Sequence, residues 1–227
     1  MYTIALADDH ALTLKRFADF FKNLPEYTTV VEAVNGHDLI LKIKCLEQLP
    51  DIVLIDINMP VIDGVAVTHY LRVYYPSIKL IGLSNYGDEN SLRDMLISGA
   101  NGFVMKALSE TILQEAVEAV ITNKKYIDQR MEIDEQQVKY ILYQQKERKE
   151  RIKRIKNEFG LTEREITFLI LSATSLTYEQ IGETMYVEHK TIHTYFSRVS
   201  KKFNISNRQA LTIYSLQNGL AAIADYK

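Results

Sequence analysis

The first half of the chain alternates short runs of β-forming residues with stretches whose apolar residues recur at helical spacing. The runs cover residues 4–7, 29–34, 52–55, 80–83 and 102–105. One of the intervening stretches carries Leu14, Phe17, Phe20 and Phe21 on a single helical face. Strands that alternate with helices of this length form a parallel sheet with helices on both faces. The sequence therefore predicts an α/β doubly wound domain with a five-stranded sheet over residues 1–122.

The second half of the chain has only helical patterns. Residues 134–158 contain no Gly or Pro and many strong helix formers, which predicts a long charged helix within a mostly helical linker over 123–157. Thr162 is followed three residues later by Glu165, the spacing of a capping box at a helix start. Residues 158–227 are predicted to form a small all-α domain of four helices.

The formal net charge of −2 hides an asymmetry along the chain. Residues 1–123 carry 9 Lys and Arg against 16 Asp and Glu, whereas residues 124–156 carry 11 against 6. Residues 157–227 are neutral, with 7 of each sign. An acidic domain, a basic linker and a neutral domain imply different partners. The basic linker could meet DNA phosphates, although a solvated helix face explains its charge equally well.

Other features of the composition exclude several classes of protein. No apolar run approaches the roughly 20 residues of a membrane helix, and the first residues show no secretion signal. The single cysteine, Cys45, rules out an internal disulfide and a thiolate metal cluster, and its place in a helical stretch predicts a small core residue. We therefore expect a cytoplasmic protein without a membrane partner.

Polar residues follow four of the five predicted strands. Asp8 and Asp9 follow the first, Asp56 the third, Ser84 the fourth and Lys106 the fifth. In an open parallel sheet, sites form at the carboxyl ends of the strands. If the strand order is 2-1-3-4-5, the first and third strands are neighbours and their three aspartates crowd together.

Such a group of side chains has a specific chemistry. Crowded carboxylates repel each other unless a cation lies among them, and oxygen ligands suit Mg²⁺. A carboxylate beside Mg²⁺ can attack phosphorus, and a lysine and a hydroxyl can neutralise the phosphoryl oxygens. Any one of these residues alone is most simply a polar group at a strand exit. Their joint placement at four strand ends favours a phosphorylation site.

The same strand ends resemble the signature of a response-regulator receiver domain, over about residues 1–122. The motifs are Ala-Asp-Asp-His at 7–10, Asp-Ile-Asn-Met-Pro-Val-Ile-Asp-Gly at 56–64, Leu-Ser at 83–84 and Gly-Phe-Val-Met-Lys at 102–106. The resemblance implies a flavodoxin-like fold and a sensor histidine kinase that phosphorylates Asp56. It also implies that Asp9, Asp56 and the backbone carbonyl of Asn58 hold Mg²⁺, with Asp8 acting through water.

The resemblance assigns roles to three further residues. Ser84 and Lys106 contact the phosphoryl group, and Phe103 is the switch aromatic that moves inward. The chain departs from the family at two positions. Ala107 stands where a proline often follows the lysine, and Asn85 stands where a small residue commonly follows the serine.

Residues 161–222 resemble the four-helix, LuxR-type helix-turn-helix domain of the NarL/FixJ subfamily. The motifs include Leu-Thr-Glu-Arg-Glu at 161–165, Leu-Thr-Tyr-Glu-Gln-Ile at 176–181 and Asn-Arg-Gln-Ala at 207–210. The resemblance implies a recognition helix over 189–203 that lies in the major groove of double-stranded DNA. The implied base-reading residues are His193, Thr194 and Ser197, and the implied phosphate contacts are Lys190, Arg198, Lys201 and Lys202, with Thr191 beside them.

The helix departs from many relatives, which have lysines where His193 and Ser197 stand. Fewer cationic contacts predict weaker and less salt-dependent binding for each protomer. Binding to promoter half-sites would then need a homodimer, formed on phosphorylation, or help from the basic linker. The resemblance thus implies a transcription regulator rather than an enzyme.

Two other functions are compatible with parts of the sequence. A phosphorylation-gated protein-interaction module without DNA binding would explain the neutral charge of residues 157–227. A phosphatase of the haloacid-dehalogenase type would also use an aspartate at a strand end. That family has a second aspartate two residues later, where this chain has Asn58.

Overall fold

The computed structural model describes residues 1–85, 87–107 and 110–223, which form two compact units. The first unit is Met1–Leu142 and the second is Tyr143–Ile223. In the described part of the chain, no helix is both long and apolar enough to cross a membrane.

The first unit is built on a sheet of parallel strands in the order β2-β1-β3-β4-β5-β6. The strands are β1 (Tyr2–Ala7), β2 (Tyr27–Ala33), β3 (Ile52–Asp56), β4 (Lys79–Ser84), β5 (Gly102–Met105) and β6 (Tyr126–Ile127). The predicted doubly wound sheet and its 2-1-3-4-5 order are confirmed, but in the described residues the sheet has six strands instead of five. The sixth lies in the predicted linker and has two residues, too few for any alternation of polarity to show.

Five helices connect these strands. They are α1 (Ala11–Lys22), α2 (Gly36–Lys44), α3 (Gly64–Tyr74), α4 (Glu89–Ser98) and α5 (Glu110–Ile121). Helix α4 begins at the N-cap Asp88, whose side chain accepts a bond from the Ser91 amide, and ends at Gly99 with a left-handed φ of 116°. The predicted stop at Gly99 is confirmed, and only glycine adopts this φ without strain. Ser109, which the sequence favours as the N-cap of α5, lies outside the described residues.

The central strands are buried on both faces. All five residues of β3 are buried, and the aromatic side chains of α1, such as Phe17 and Phe21, pack with Leu54 on one side of the sheet. Burial of one such side chain stabilises the fold by about 1.5–3 kcal/mol. The expectation that Cys45 is a core residue is wrong. Cys45 is the C-cap of α2 and is exposed, because it follows the buried Ile43 by two residues and so lies off the buried face of the helix.

A long helix, α6 (Glu135–Glu158), crosses from the first unit into the second, as predicted for residues 134–158. Four further helices follow: α7 (Glu163–Ser172), α8 (Tyr178–Met185), α9 (His189–Phe203) and α10 (Arg208–Gln217). This confirms the predicted small helical domain. Thr162 and Glu165 form the predicted capping box, and Thr177 and Gln180 form a second one at the start of α8.

Candidate functional site

The register of the sheet places four polar side chains at one edge. Residue 55 of β3 pairs with residue 7 of β1, so Asp56 and Asp8 leave neighbouring strands at the same level. On the other side, Asp56 pairs with residue 83 of β4, and Ser84 pairs with residue 105 of β5. Lys106 follows at once, and its amide donates to the Ser84 carbonyl at 2.7 Å. The strand ends thus bring together the residues that the sequence grouped.

Lys106 bridges two buried aspartates at this edge. Its Nζ lies 2.7 Å from Oδ2 of Asp8 and 2.9 Å from Oδ2 of Asp56, and both carboxylates are only 1% exposed. Burial raises the pKa of Asp56 to about 6, although the Lys106 ammonium acts in the opposite direction and the Asp8 carboxylate adds to the rise. Asp56 is therefore an unusually basic carboxylate held beside a cation.

The acidic cluster at the same edge includes a residue that the sequence reasoning missed. Ligand atoms of Asp8, Asp9, His10 and Asp56 all lie within 4.8 Å of one another. The His10 Nδ1 is 2.8 Å from Oδ1 of Asp9, and the His10 amide donates to Oδ1 of Asp8 at 2.9 Å. Three carboxylates supply the hard oxygen donors that Mg²⁺ prefers. The signal for His10 was its adjacency to the aspartate pair.

The loop after β3 is packed directly against Asp56. The Asn58 amide donates to Oδ1 of Asp56 at 3.3 Å, while the Asn58 side chain is exposed. Asp63 caps α3, and a Cβ at Gly64 would lie only 2.2 Å from the Asp56 carbonyl oxygen. The Asp-Gly pair, which alone resembles a simple turn, is therefore a helix cap followed by a close backbone approach that only glycine permits.

Two of the remaining receiver residues lie inside the domain. Ser84 is 1% exposed at the end of β4, beside Asn85, which is exposed. Phe103 is fully buried in β5. The Phe103 side chain thus already occupies the inward position that the receiver resemblance implies for the switch aromatic.

The helix predicted over residues 189–203 is confirmed as α9, with the bounds His189–Phe203. Its apolar face is buried through Ile192 and Val199. The opposite face is solvent-exposed and carries most of the residues expected to contact DNA. The exposed ones are Lys190, His193, Thr194, Ser197, Arg198 and Lys201, while Thr191 is half-buried.

Contacts with α8 and α10 hold the start of this exposed face. The ring of His193 meets the Tyr178 ring edge-on, with the centroids 5.2 Å apart. The Arg208 guanidinium lies 5.1 Å from the centroid of Tyr178 and donates to the carbonyls of Ser172 and Leu176. Arg208 thereby supports the ring that packs against His193, a role that its place in the sequence did not indicate.

Lys202 differs from its neighbours on the helix because its ammonium is engaged within the domain. Its Nζ lies 2.8 Å from Oε2 of Glu165 and 2.7 Å from the Gly160 carbonyl oxygen. Glu165 is 2% exposed, and the same Oε2 also accepts bonds from the amide and hydroxyl of Thr162. The structure thus brings together the other residues expected to contact DNA but places the Lys202 head group against α7.

Comparison with known families agrees with this arrangement. Residues 4–118 match the response regulator receiver domain family. The chain is a response regulator. Residues 160–215 match the bacterial regulatory proteins of the luxR family. A receiver domain followed by a LuxR-type DNA-binding domain is the architecture of NarL/FixJ-type transcription regulators, which confirms the family inferred from the motifs.

Curated and solved proteins are similar to this chain along nearly its whole length. The response regulator is 28% identical to the transcriptional regulatory protein DegU of Brevibacillus brevis, covering 95% of this chain and 93% of DegU. It is similar in fold to RcsB of Salmonella enterica serovar Typhimurium bound to the rprA promoter, with a TM-score of 0.51, 20% identity and coverage of 94% and 98%. A structure of two RcsB dimers bound to two parallel DNAs matches with a TM-score of 0.53, 21% identity and coverage of 94% and 97%.

Proposed function

We propose that this response regulator accepts a phosphoryl group on Asp56 from a sensor histidine kinase. The observation that carries the proposal is the buried Asp56 carboxylate, paired with Lys106 at 2.9 Å at the carboxyl end of the sheet. A carboxylate oxygen attacks the phosphorus, and the bond from phosphorus to the imidazole nitrogen of the kinase breaks. The electron pair of that bond leaves with the imidazole, which takes up one proton from solvent and departs as a neutral ring.

The acidic cluster fits a divalent cation. Asp9, Asp56 and the backbone carbonyl of Asn58 would hold Mg²⁺, with Asp8 acting through water. When bound, the ion supplies positive charge beside the oxygens of the transferred group. The mutual approach of three carboxylates within 4.8 Å supports this assignment, because they repel each other and the single Lys106 ammonium offsets only part of their charge.

The remaining receiver residues act on the phosphorylated form. The Lys106 ammonium lies beside Asp56 already and neutralises a phosphoryl oxygen, and the Ser84 hydroxyl at the next strand end donates to another. These bonds favour one of two receiver conformations, in which Phe103 occupies its buried position. The change is a shift of populations, so the unphosphorylated protein retains some activity.

The output of this proposal is transcription control through double-stranded DNA. Helix α9 enters the major groove, where His193, Thr194 and Ser197 read base edges. Lys190, Arg198 and Lys201 contact phosphates, with Thr191 beside them. RcsB, which shares the fold, binds DNA as dimers. We infer that this regulator likewise binds two promoter half-sites as a homodimer. Because its promoters are in the cytoplasm, we infer the same location for the regulator.

We infer that the chain consists of a receiver domain over 1–122, a linker over 123–157 and a DNA-binding domain over 158–227.

The neutral charge of residues 157–227 is also compatible with one other function, a helical domain that binds a protein partner instead of DNA. Binding to duplex DNA that weakens as salt rises would exclude that alternative, because counterions are released only from a polyanion.

The phosphorylation step is tested with the full-length protein, Mg²⁺ and a small acyl phosphate, followed by intact mass spectrometry. One phosphoryl adduct is expected in the wild type and none in Asp56→Asn. An adduct that persists in the variant, or no adduct with any phosphodonor, would overturn the assignment of Asp56.

A further inference from the structure

The loop that carries Lys106 is bonded to a short segment beyond strand β6. The Asp128 amide donates to the Phe103 carbonyl at 2.9 Å, which extends the pairing of β6 with β5 by one residue. The Asp128 carboxylate then accepts the Met105 amide at 3.1 Å through Oδ2. Asp128 is only 1% exposed, so this carboxylate is a buried acceptor directly before Lys106.

Arg130 binds the same loop through backbone carbonyls on both sides of Lys106. Its guanidinium pairs with both oxygens of Asp128, with Nε 2.9 Å from Oδ1 and a terminal nitrogen 2.5 Å from Oδ2. The same guanidinium donates to the Met105 carbonyl at 3.2 Å and to the Ala107 carbonyl. The backbone carbonyls on both sides of Lys106 are therefore held by one planar cation.

We propose that Asp128 and Arg130 are positioning residues for Lys106 in the phosphoryl transfer, an inference that rests on the proposed function of Asp56. A lysine side chain is long and flexible, so its charge is useful at a fixed point only when its backbone is fixed. Ala107 stands where the receiver resemblance implies a proline, so the ring that would restrain the loop is missing. The Arg130 guanidinium restrains the same peptide from outside.

A second arginine of the same domain also binds backbone carbonyls, at the other end of β5. Arg72 braces the opposite end of β5 in a similar way, with its guanidinium on the Gly99 and Pro76 carbonyls and on the Asn101 side chain. That end of the strand is remote from the acidic cluster. Arg72 is therefore a matched control for the loss of a carbonyl-binding arginine in the same domain.

The test compares Arg130→Met with Arg72→Met in the full-length protein. Phosphorylation by an acyl phosphate in Mg²⁺ is followed by intact mass at a temperature where circular dichroism shows both variants folded. Since misplacement of a reacting group by about 1 Å costs up to roughly 100-fold in rate, we expect Arg130→Met to react at least about tenfold more slowly than wild type. Arg72→Met should react at the wild-type rate.

Arg130→Lys keeps a positive charge beside Asp128 and so protects the fold if Arg130→Met does not fold. One ammonium cannot hold a carboxylate and two carbonyls in a plane, so this variant should also react more slowly than Arg72→Met. A rate for the Arg130 variants equal to that of Arg72→Met overturns the positioning role while the phosphorylation of Asp56 stands. Absence of the adduct in the wild type itself overturns both.

A double-mutant cycle tests whether the pair acts through Lys106. In a Lys106→Met background, Arg130→Met should slow phosphorylation no further, because the side chain that it positions is gone. Equal slowing by Arg130→Met in both backgrounds would show that it acts on the whole domain, and would contradict the proposal.

Discussion

The ammonium of Lys106 lies 2.9 Å from a carboxylate oxygen of Asp56, and both side chains are buried. The pairing does not make the carboxylate a strong acid, because burial raises its pKa to about 6 in spite of the nearby cation. The folded protein therefore binds a proton at Asp56 more tightly than the unfolded chain does. This relationship gives the first prediction.

The stability of the receiver domain should depend on the ionisation of Asp56. Its folded pKa lies above its unfolded value of 3.8, so its contribution is fully present below about pH 4 and is lost as pH rises through about 6. Asp56→Asn removes that loss, and we expect it to stabilise the domain at pH 8 by roughly 2–3 kcal/mol. Urea unfolding at a series of pH values, with a chelator present, measures the difference.

The difference between Asp56→Asn and wild type should vanish below about pH 4, where both side chains are neutral. Asp19→Asn, at an exposed position of α1, is the control for the loss of one carboxylate elsewhere in the domain. A constant difference at every pH would contradict the assigned pKa.

Strain in the loop after β3 gives the second prediction. Val61 has a φ of 72°, a left-handed conformation that costs a β-branched residue about 1–2 kcal/mol. Val61→Gly should relieve this strain and leave the domain more stable than Val61→Ala, which loses the same half-buried side chain but keeps a Cβ. Thermal unfolding of the two variants checks the order, and the reverse order would show that φ at this residue is not strained.

Two adjacent lysines of α9 should behave differently in DNA binding. Lys201 is exposed, so Lys201→Met should lower the slope of log affinity against log salt by about 1 on a duplex of any sequence. Lys202→Met should leave that slope nearly unchanged, because the Lys202 ammonium is bonded to Glu165 and Gly160. Fluorescence anisotropy with a labelled duplex at several salt concentrations measures both slopes.

Lys202→Met should instead destabilise the second unit, because the buried Glu165 loses its cation. Lys202 and the Thr162 bonds hold the pKa of Glu165 below its usual value against the opposing effect of burial. The stability from this pairing is therefore lost as pH falls through the lowered pKa. An equal fall in salt slope for both lysines, without loss of stability in Lys202→Met, would restore Lys202 as a phosphate contact.

The exposed face of α9 gives the fourth prediction. His193 is exposed but is packed against the Tyr178 ring, so its imidazole has a restricted orientation. His193→Ala should lower affinity for the preferred duplex by about 1–3 kcal/mol and relax the choice of one base. Selection from a randomised duplex library identifies that base. Affinity for unrelated duplex should stay the same, and an equal loss on every duplex would make His193 a phosphate contact.

Much of the fold follows from local patterns in the sequence. The alternation of strand and helix patterns determined the parallel sheet, and the spacing of Thr162 and Glu165 determined the start of α7. The placement of Asp56 and Lys106 at strand ends was also predictable. In a parallel sheet of known order, residues that follow neighbouring strands must meet at one edge.

Only the tertiary structure decided which distant groups satisfy each other. Strand β6 has only two residues and forms at the edge of the folded sheet. The bonds from Arg130 to the loop that carries Lys106 also depend on that edge. Neither feature has a signature in the local sequence. Lys202 belongs by spacing to the helix expected to bind DNA, yet its ammonium pairs with Glu165, 37 residues earlier. A buried carboxylate is stable only beside a cation, and the fold can bring that cation from any part of the chain. The periodicity of the sequence does not indicate which distant residue supplies it.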